Sequence, residues 1–192
     1  MQKKMSTMTL CHVILMGILA VLSCVSAGII FSGHIPEGYG IVTDTQKNAS
    51  FIIGLSHAAN ALALICGMVY LLKGSGKNVA GLYKAFLMLV VLGQILRLIG
   101  KLVFPGFDVN ACLIIACIVL LLILTFVKDL GKTRTQCVYY ILLVLELALA
   151  ILLFDSREAL SSIASGLTRL VLAGSIGIAI WEKYRDKAAR GK

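Results

Sequence analysis

Charged residues are scarce in this chain: they make up 14% of its 192 residues, whereas 59% of the residues are apolar. A soluble domain carries about 25% charged and about 45–50% apolar residues. Only two prolines and 18 glycines occur, so the composition is not that of a disordered or collagen-like chain. These shortages predict a polytopic membrane protein, and no segment remains that would form a second, soluble domain.

Motifs that bind metals or cofactors are also missing. The six cysteines include no C-x-x-C pair and mostly lie in apolar runs, which is typical of small buried hydrophobic side chains rather than of a disulfide framework or zinc site. No H-E-x-x-H, P-loop or dinucleotide-binding fingerprint occurs. The five aspartates all lie outside the apolar runs, so no aspartate pair is available within the membrane. We therefore expect no cofactor and no enzymatic activity.

Long apolar runs recur along the whole chain. A membrane-spanning helix needs about 20 predominantly apolar residues at about 1.5 Å rise per residue. The runs predict a single integral membrane domain over residues 1–192, an all-α bundle of six transmembrane helices. The predicted spans are Thr9–Phe31, Phe51–Leu72, Ala80–Phe104, Ala111–Val127, Cys137–Phe154 and Ala159–Trp181.

Basic residues give this bundle an orientation. The net charge is +9, and twelve lysines and arginines lie in the two termini and the loops after spans 2 and 4, against three on the opposite side. Because Lys and Arg are enriched in cytoplasmic loops, both termini are predicted to be cytoplasmic, and the protein is expected in the cell membrane. Since the bases cluster at span ends, the expected partner is the lipid bilayer and not nucleic acid.

The first span leaves one alternative open. Lys3 and Lys4 followed by an apolar run resemble a signal peptide, and the residues up to Cys24 loosely resemble a lipoprotein cleavage box. The run stays mostly apolar to Phe31, which is too long for an ordinary signal-peptide core. An uncleaved span is therefore favoured.

The lysine pairs that follow spans 2, 4 and 6 recur at intervals of 55 residues. Such a fixed period is consistent with a repeated helical hairpin. Three cytoplasmic span ends that each require lysine explain the same period, and this reading is favoured because the spans themselves show little identity at this offset.

Polar residues within the spans are the candidate functional residues. Glu146 is the only acidic residue inside any span, while Arg97 and Arg169 lie in two others. The three lie roughly 10, 12 and 15 Å below the outer ends of their spans in the order Arg97, Glu146 and Arg169. Three neutral residues lie at similar depths, roughly 9, 14 and 15 Å: His57, Asn60 and Gln94. Ionisable residues in hydrocarbon usually pair and often mark a functional site, so Glu146 is predicted to contact Arg97 or Arg169.

Two functions are consistent with these polar residues at similar depth in the spans. Because two guanidiniums face one carboxylate, an anionic solute would complete the set, since arginine binds carboxylates and phosphates through two parallel hydrogen bonds. A protein that binds or transports such a solute would have a water-accessible, outward-opening pocket at Arg97, Glu146 and Arg169. The alternative is a non-transporting structural or regulatory membrane subunit, whose charges form a closed ion pair that holds helices together.

Two further patterns predict how the helices pack. Span 4 is almost purely aliphatic, with Thr125 as its lone polar residue from Ile114 onwards, so we expect it to face lipid. Span 2 carries Ala59, Ala63 and Gly67 at every fourth position. Such a ridge of small residues allows close helix packing.

Small residues also recur on the first span, at Ala20, Cys24 and Gly28. In chain length, in its six spans and in this face, the sequence looks like the substrate-binding subunits of energy-coupling-factor vitamin transporters. That resemblance, which is one of topology, implies another membrane subunit as a partner at the first span. Fold-level analogy of this kind does not carry function.

Overall fold

A computed structural model of the chain describes residues 7–32, 44–73, 80–103, 108–127, 130–154 and 159–190. These residues form six α-helices, and no strand occurs among them. The helices are α1 (Thr7–Phe31), α2 (Asp44–Lys73), α3 (Ala80–Val103), α4 (Val109–Phe126), α5 (Lys132–Phe154) and α6 (Ala159–Arg190).

Three helices extend beyond the predicted spans. α2 begins at Asp44 rather than at Phe51, α5 begins at Lys132, and α6 continues past Trp181 to Arg190. Hydropathy locates the part of a helix that is apolar enough for lipid, whereas backbone hydrogen bonding continues into polar sequence. Asp44 in the first turn of α2 also favours an early start, because a carboxylate there interacts favourably with the helix dipole.

Five of the six helices are long and apolar enough to cross a membrane, namely α1 to α5. In α6 the apolar stretch is shorter, Ser165–Trp181. The predicted all-helical fold is therefore confirmed for the described residues, and five helices have the length and composition of membrane-spanning segments. The sixth span does not meet the same criterion of length and composition.

The helices form a ring in chain order. Each helix packs against the next one, and α6 returns to pack against α1, so that the first and last helices close the ring. α6 also contacts α2 and α3 across the bundle. The least apolar helix is thus surrounded by protein on several sides, and its polar residues can find partners there.

α4 packs mainly against its chain neighbours α3 and α5. Its buried residues recur every three or four positions and form one face. Thr125, which lies on that face, donates its hydroxyl to the Leu121 carbonyl oxygen at 2.7 Å, so it needs no partner on another helix. The apolar side chains on the rest of α4, including Ile115 and Val119, are at least partly accessible, as expected for a helix that faces lipid.

The small-residue ridge of α2 lies between α1 and α3. Ala59 and Ala63 are buried, and a Cβ at Gly67 would lie 2.7 Å from Met16 Cε and 3.0 Å from Phe86 Cε2. The absence of a side chain at Gly67 therefore allows α1 and α3 to approach α2 closely, which confirms the packing predicted for this ridge.

Candidate functional site

Three of the six candidate residues meet in the interior of the ring. Gln94 lies on α3, Glu146 on α5 and Arg169 on α6. They come together because α6 contacts both α3 and α5. A polar side chain on any of these helices has no partner in lipid, so turning it inwards satisfies its hydrogen bonds.

The three side chains form a closed cycle of hydrogen bonds. Arg169 Nη1 donates to Glu146 Oε2 at 2.7 Å, which is also the ion pair. Gln94 Nε2 donates to Glu146 Oε1 at 2.8 Å, and Arg169 Nη2 donates to Gln94 Oε1 at 3.1 Å. Each carboxylate oxygen therefore has a donor, and the glutamine amide uses both its donor and its acceptor. This set of three residues is called the polar network below.

The polar network is enclosed by protein. Glu146 and Arg169 are each 4% exposed and Gln94 is 7% exposed. The prediction that Glu146 pairs with Arg97 or Arg169 is confirmed for Arg169. A direct, closed ion pair is the arrangement expected of the structural alternative. The solute-binding alternative requires a water-accessible pocket instead.

Arg97 stays outside the polar network. It makes no ion pair and no hydrogen bond with another side chain among the described residues, and it is only partly buried. It nevertheless lies close enough to Arg169 and Glu146 to be repelled by the first and attracted by the second. Within the polar network itself, Arg169 Nε is buried and has no acceptor among the described residues. Because Arg169 is paired with Glu146, the excess positive charge that the sequence predicts is located on Arg97.

His57 and Asn60 lie on α2 and are not hydrogen-bonded to the polar network. His57 is within electrostatic range of Arg97. Asn60 packs directly on the backbone of α3, since a Cβ at Gly93 would collide with Asn60 Oδ1. These two candidate residues line the α2–α3 contact, and the network forms without them.

Several polar contacts between helices were not predicted from the sequence, and two of them involve α1, α2, α3 and α6. Ser56 donates its hydroxyl to the Gly93 carbonyl oxygen at 2.9 Å, and His12 Nε2 lies 2.8 Å from Ser175 Oγ, which joins α1 to α6. Ser56 lies one residue before His57, so it belongs to the same polar turn of α2. The His12 contact depends on which helices are neighbours, and the sequence pattern carries no signal for it.

The small-residue face proposed for α1 is divided in the structure. Ala20 is buried within the bundle, whereas Cys24 and Gly28 are exposed.

No protein-family model matches the chain, and comparison with curated proteins and with solved structures finds no match either. The likeness to vitamin-transporter subunits thus remains one of chain length and helix number.

Proposed function

We propose that this protein is a non-transporting structural or regulatory subunit of the cell membrane, in which the buried charges hold the helix ring together. The single observation that carries the proposal is the closed cycle formed by Gln94, Glu146 and Arg169. A solute cannot use Glu146 and Arg169 as its primary ligands without first breaking their 2.7 Å ion pair.

The energetics favour the same role. Removing one partner of a buried ion pair typically costs about 3–5 kcal/mol, because it leaves the other charge without compensation. A polar network shared by three helices therefore specifies which helices are neighbours. This matters in a bilayer, where lipid tails are as apolar as leucine and the hydrophobic effect does not select helix partners.

The proposed topology has six spans and both termini in the cytoplasm. The bias of Lys and Arg towards the termini and the loops after α2 and α4 supports it. The shorter apolar stretch of α6 is compatible with a span, because its polar residues Arg169 and Ser175 are buried against neighbouring helices. Reporter fusions at Lys192 and between Ser32 and Ser50 test this topology: opposite sides are expected, and the same side would contradict it.

The proposed partners are the bilayer and other membrane subunits, and the proposal includes no enzymatic activity and no nucleic acid. It is supported by the absence of catalytic and cofactor motifs in the sequence and by the accessible apolar side chains on α1 and α4.

A charge exchange tests the structural role directly. Glu146→Arg alone should strongly lower the thermal stability of the purified protein, because three guanidiniums would then meet. Adding Arg169→Glu should recover part of the loss, since it restores one pair with reversed polarity. Arg97→Glu with Glu146→Arg is the matched exchange and should recover less. Equal recovery by the two exchanges, or none by either, would contradict a specific 146–169 pair.

A second candidate function is the binding of a small anionic solute at Arg97. The supporting observation is that Arg97 is partly accessible, has no ion pair among the described residues and lies near a second guanidinium. Thermal stabilisation by a panel of anionic, neutral and cationic metabolites separates the two functions. A structural subunit should respond to none of them. Stabilisation by an anion that disappears in Arg97→Gln but persists in Lys84→Gln would favour the solute-binding function instead.

A further inference from the structure

A groove of about 300 Å³ lies between α5 and α6, away from the polar network. On the α5 side it is lined by Lys132, Gln136, Tyr139 and Tyr140, and on the α6 side its lining includes Trp181 and Tyr184. These residues belong to the first turns of α5 and to the part of α6 that passes them in the opposite direction. The groove is therefore at the edge of the membrane-spanning part, because the apolar span of α5 begins at Lys132.

Two contacts between α5 and α6 shape the groove. Near the start of α5, Thr135 Oγ1 and Tyr184 Oη are 2.8 Å apart and form a hydrogen bond. About one turn further along α5, the Tyr139 hydroxyl lies directly against Gly177, where any Cβ would collide with it. Tyr184, Tyr139 and Gly177 also line the groove, so both helices contribute to its walls.

The lining changes in polarity along the groove. Lys132 lies at the membrane edge, and Tyr140 lies about 12 Å further along α5 at about 1.5 Å per residue. Two aromatic side chains of the lining are largely exposed, with Tyr140 59% and Trp181 61% exposed. A ligand that fits this lining has a polar head near Lys132 and an apolar portion running over Tyr140 and Trp181 towards the membrane centre.

The charge of the residues that line the groove favours a ligand with a negatively charged polar head. Its described lining contains one cation, Lys132, and no carboxylate. The backbone N–H groups of the first turn of α5 add to the positive potential there. The side chain of Lys132 is exposed and makes no ion pair with a described residue, so its ammonium is available to an anion.

We propose that this groove binds one anionic phospholipid, with the phosphate at Lys132 and the first part of an acyl chain over Tyr140 and Trp181. The site is independent of the polar network and of the function proposed for it. A soluble phosphate ester shares the head chemistry but lacks the chain that would cover the two aromatic side chains, and for this reason the lipid is the preferred occupant.

Trp181 is the only tryptophan in the chain, so its fluorescence reports on the groove alone. The experiment uses the purified full chain in a neutral detergent, titrated with phosphatidylglycerol or with phosphatidylcholine carrying brominated, quenching acyl chains. The anionic lipid should reach half-maximal quenching at about a five-fold lower mole fraction, since a basic residue near the surface contributes about 1 kcal/mol to anionic-lipid binding.

Variants at Lys132 distinguish the site from general contact with lipid. Lys132→Gln should remove the five-fold preference, Lys132→Arg should keep it, and Lys84→Gln, which changes an exposed lysine outside the groove, should keep it as well. Equal quenching by the two lipids in the unaltered protein, or a preference that survives in Lys132→Gln, would overturn the proposal. Displacement of the brominated anionic lipid by inorganic phosphate alone would overturn the assignment of a lipid as the occupant.

Discussion

In a soluble protein, the more apolar of two helices is expected to be the more buried one. α4 and α6 show the opposite relation. α4 is the most apolar of the five helices that are long and apolar enough to span, yet it packs mainly against two neighbours. α6 has the shortest apolar stretch, yet it packs against α1, α2, α3 and α5. Of these two helices, the more apolar one has fewer helix neighbours, and the one that carries buried polar residues has more.

The physical reason is the solvent. Lipid accepts apolar side chains at no cost, so an aliphatic helix gains little by moving inwards. A guanidinium or carboxylate in lipid is expensive, so the helix that carries it gains from partners in the bundle. The inward position of α6 is accordingly explained by Arg169 and its neighbours rather than by its apolar residues.

The largest expected effect comes from leaving the charge of α6 unpaired. Glu146→Leu should destabilise the bundle by about 3–5 kcal/mol, because Arg169 would remain buried without a counter-ion. The double variant Glu146→Leu with Arg169→Leu should recover most of this loss, since apolar replacement of a whole buried pair is often close to neutral. Thermal unfolding of the purified variants measures both effects.

Arg97→Leu is the matched control for that series. It removes a guanidinium that has no ion pair among the described residues and that repels Arg169, so it should cost far less than Arg169→Leu. Equal losses of stability in Arg97→Leu and Arg169→Leu would show that the ion pair between Glu146 and Arg169 contributes nothing specific.

A charge placed on the exposed face of α4 tests whether that face contacts lipid. Val119 is 49% exposed, and Val119→Arg should disfavour membrane insertion of α4 by about 2.5–3.5 kcal/mol, as for arginine at a helix centre. Val119→Leu is the control and should be neutral. An insertion assay on the full chain measures the fraction of α4 that spans, and an unchanged fraction in Val119→Arg would mean that this face is covered by protein or water.

A smaller effect on stability is expected where α6 packs closely against α5. Gly177→Ala would bring a Cβ against the Tyr139 hydroxyl, and it should cost about 1 kcal/mol, at the low end for overpacking because the tip of a tyrosine can shift. Gly28→Ala on α1 is the control, since nothing lies within 4 Å of the added Cβ. Denaturation of the two variants side by side checks the difference, and equal stabilities would contradict the close approach of α5 and α6.

The smallest effect is expected at the start of α4. The hydrogen bond from Lys101, 2.9 Å away, and that from the Ala111 backbone N–H lower the pKa of the Asp108 carboxyl. Because the folded-state pKa lies below the unfolded value of about 3.9, the stabilisation is present above that pH and is lost as the pH falls through the folded-state pKa. Asp108→Asn keeps an N-cap but loses the ion pair, so its stability should decline less at acidic pH, as followed by thermal unfolding. A parallel decline in both proteins would exclude this contribution.

Much of the fold follows from local sequence. The bounds of α1, α3 and α4 lie close to the predicted spans because polar or glycine-containing segments follow directly where the apolar run stops. α2, α5 and α6 extend further because hydropathy measures compatibility with lipid and not helix formation. The outward position of α4 was predictable as well, since a helix that is mostly aliphatic has no need of a polar partner.

The sequence by itself also determined that Glu146 needs a cation, because a lone carboxylate among apolar residues is too costly to leave unpaired. Equal depth along the spans narrowed the choice to Arg97 and Arg169. Only the tertiary structure decided between them, because the choice depends on which helix faces point at each other across the ring. The same is true of the groove between α5 and α6, whose residues are unremarkable in sequence and become a site only where the two helices pass side by side.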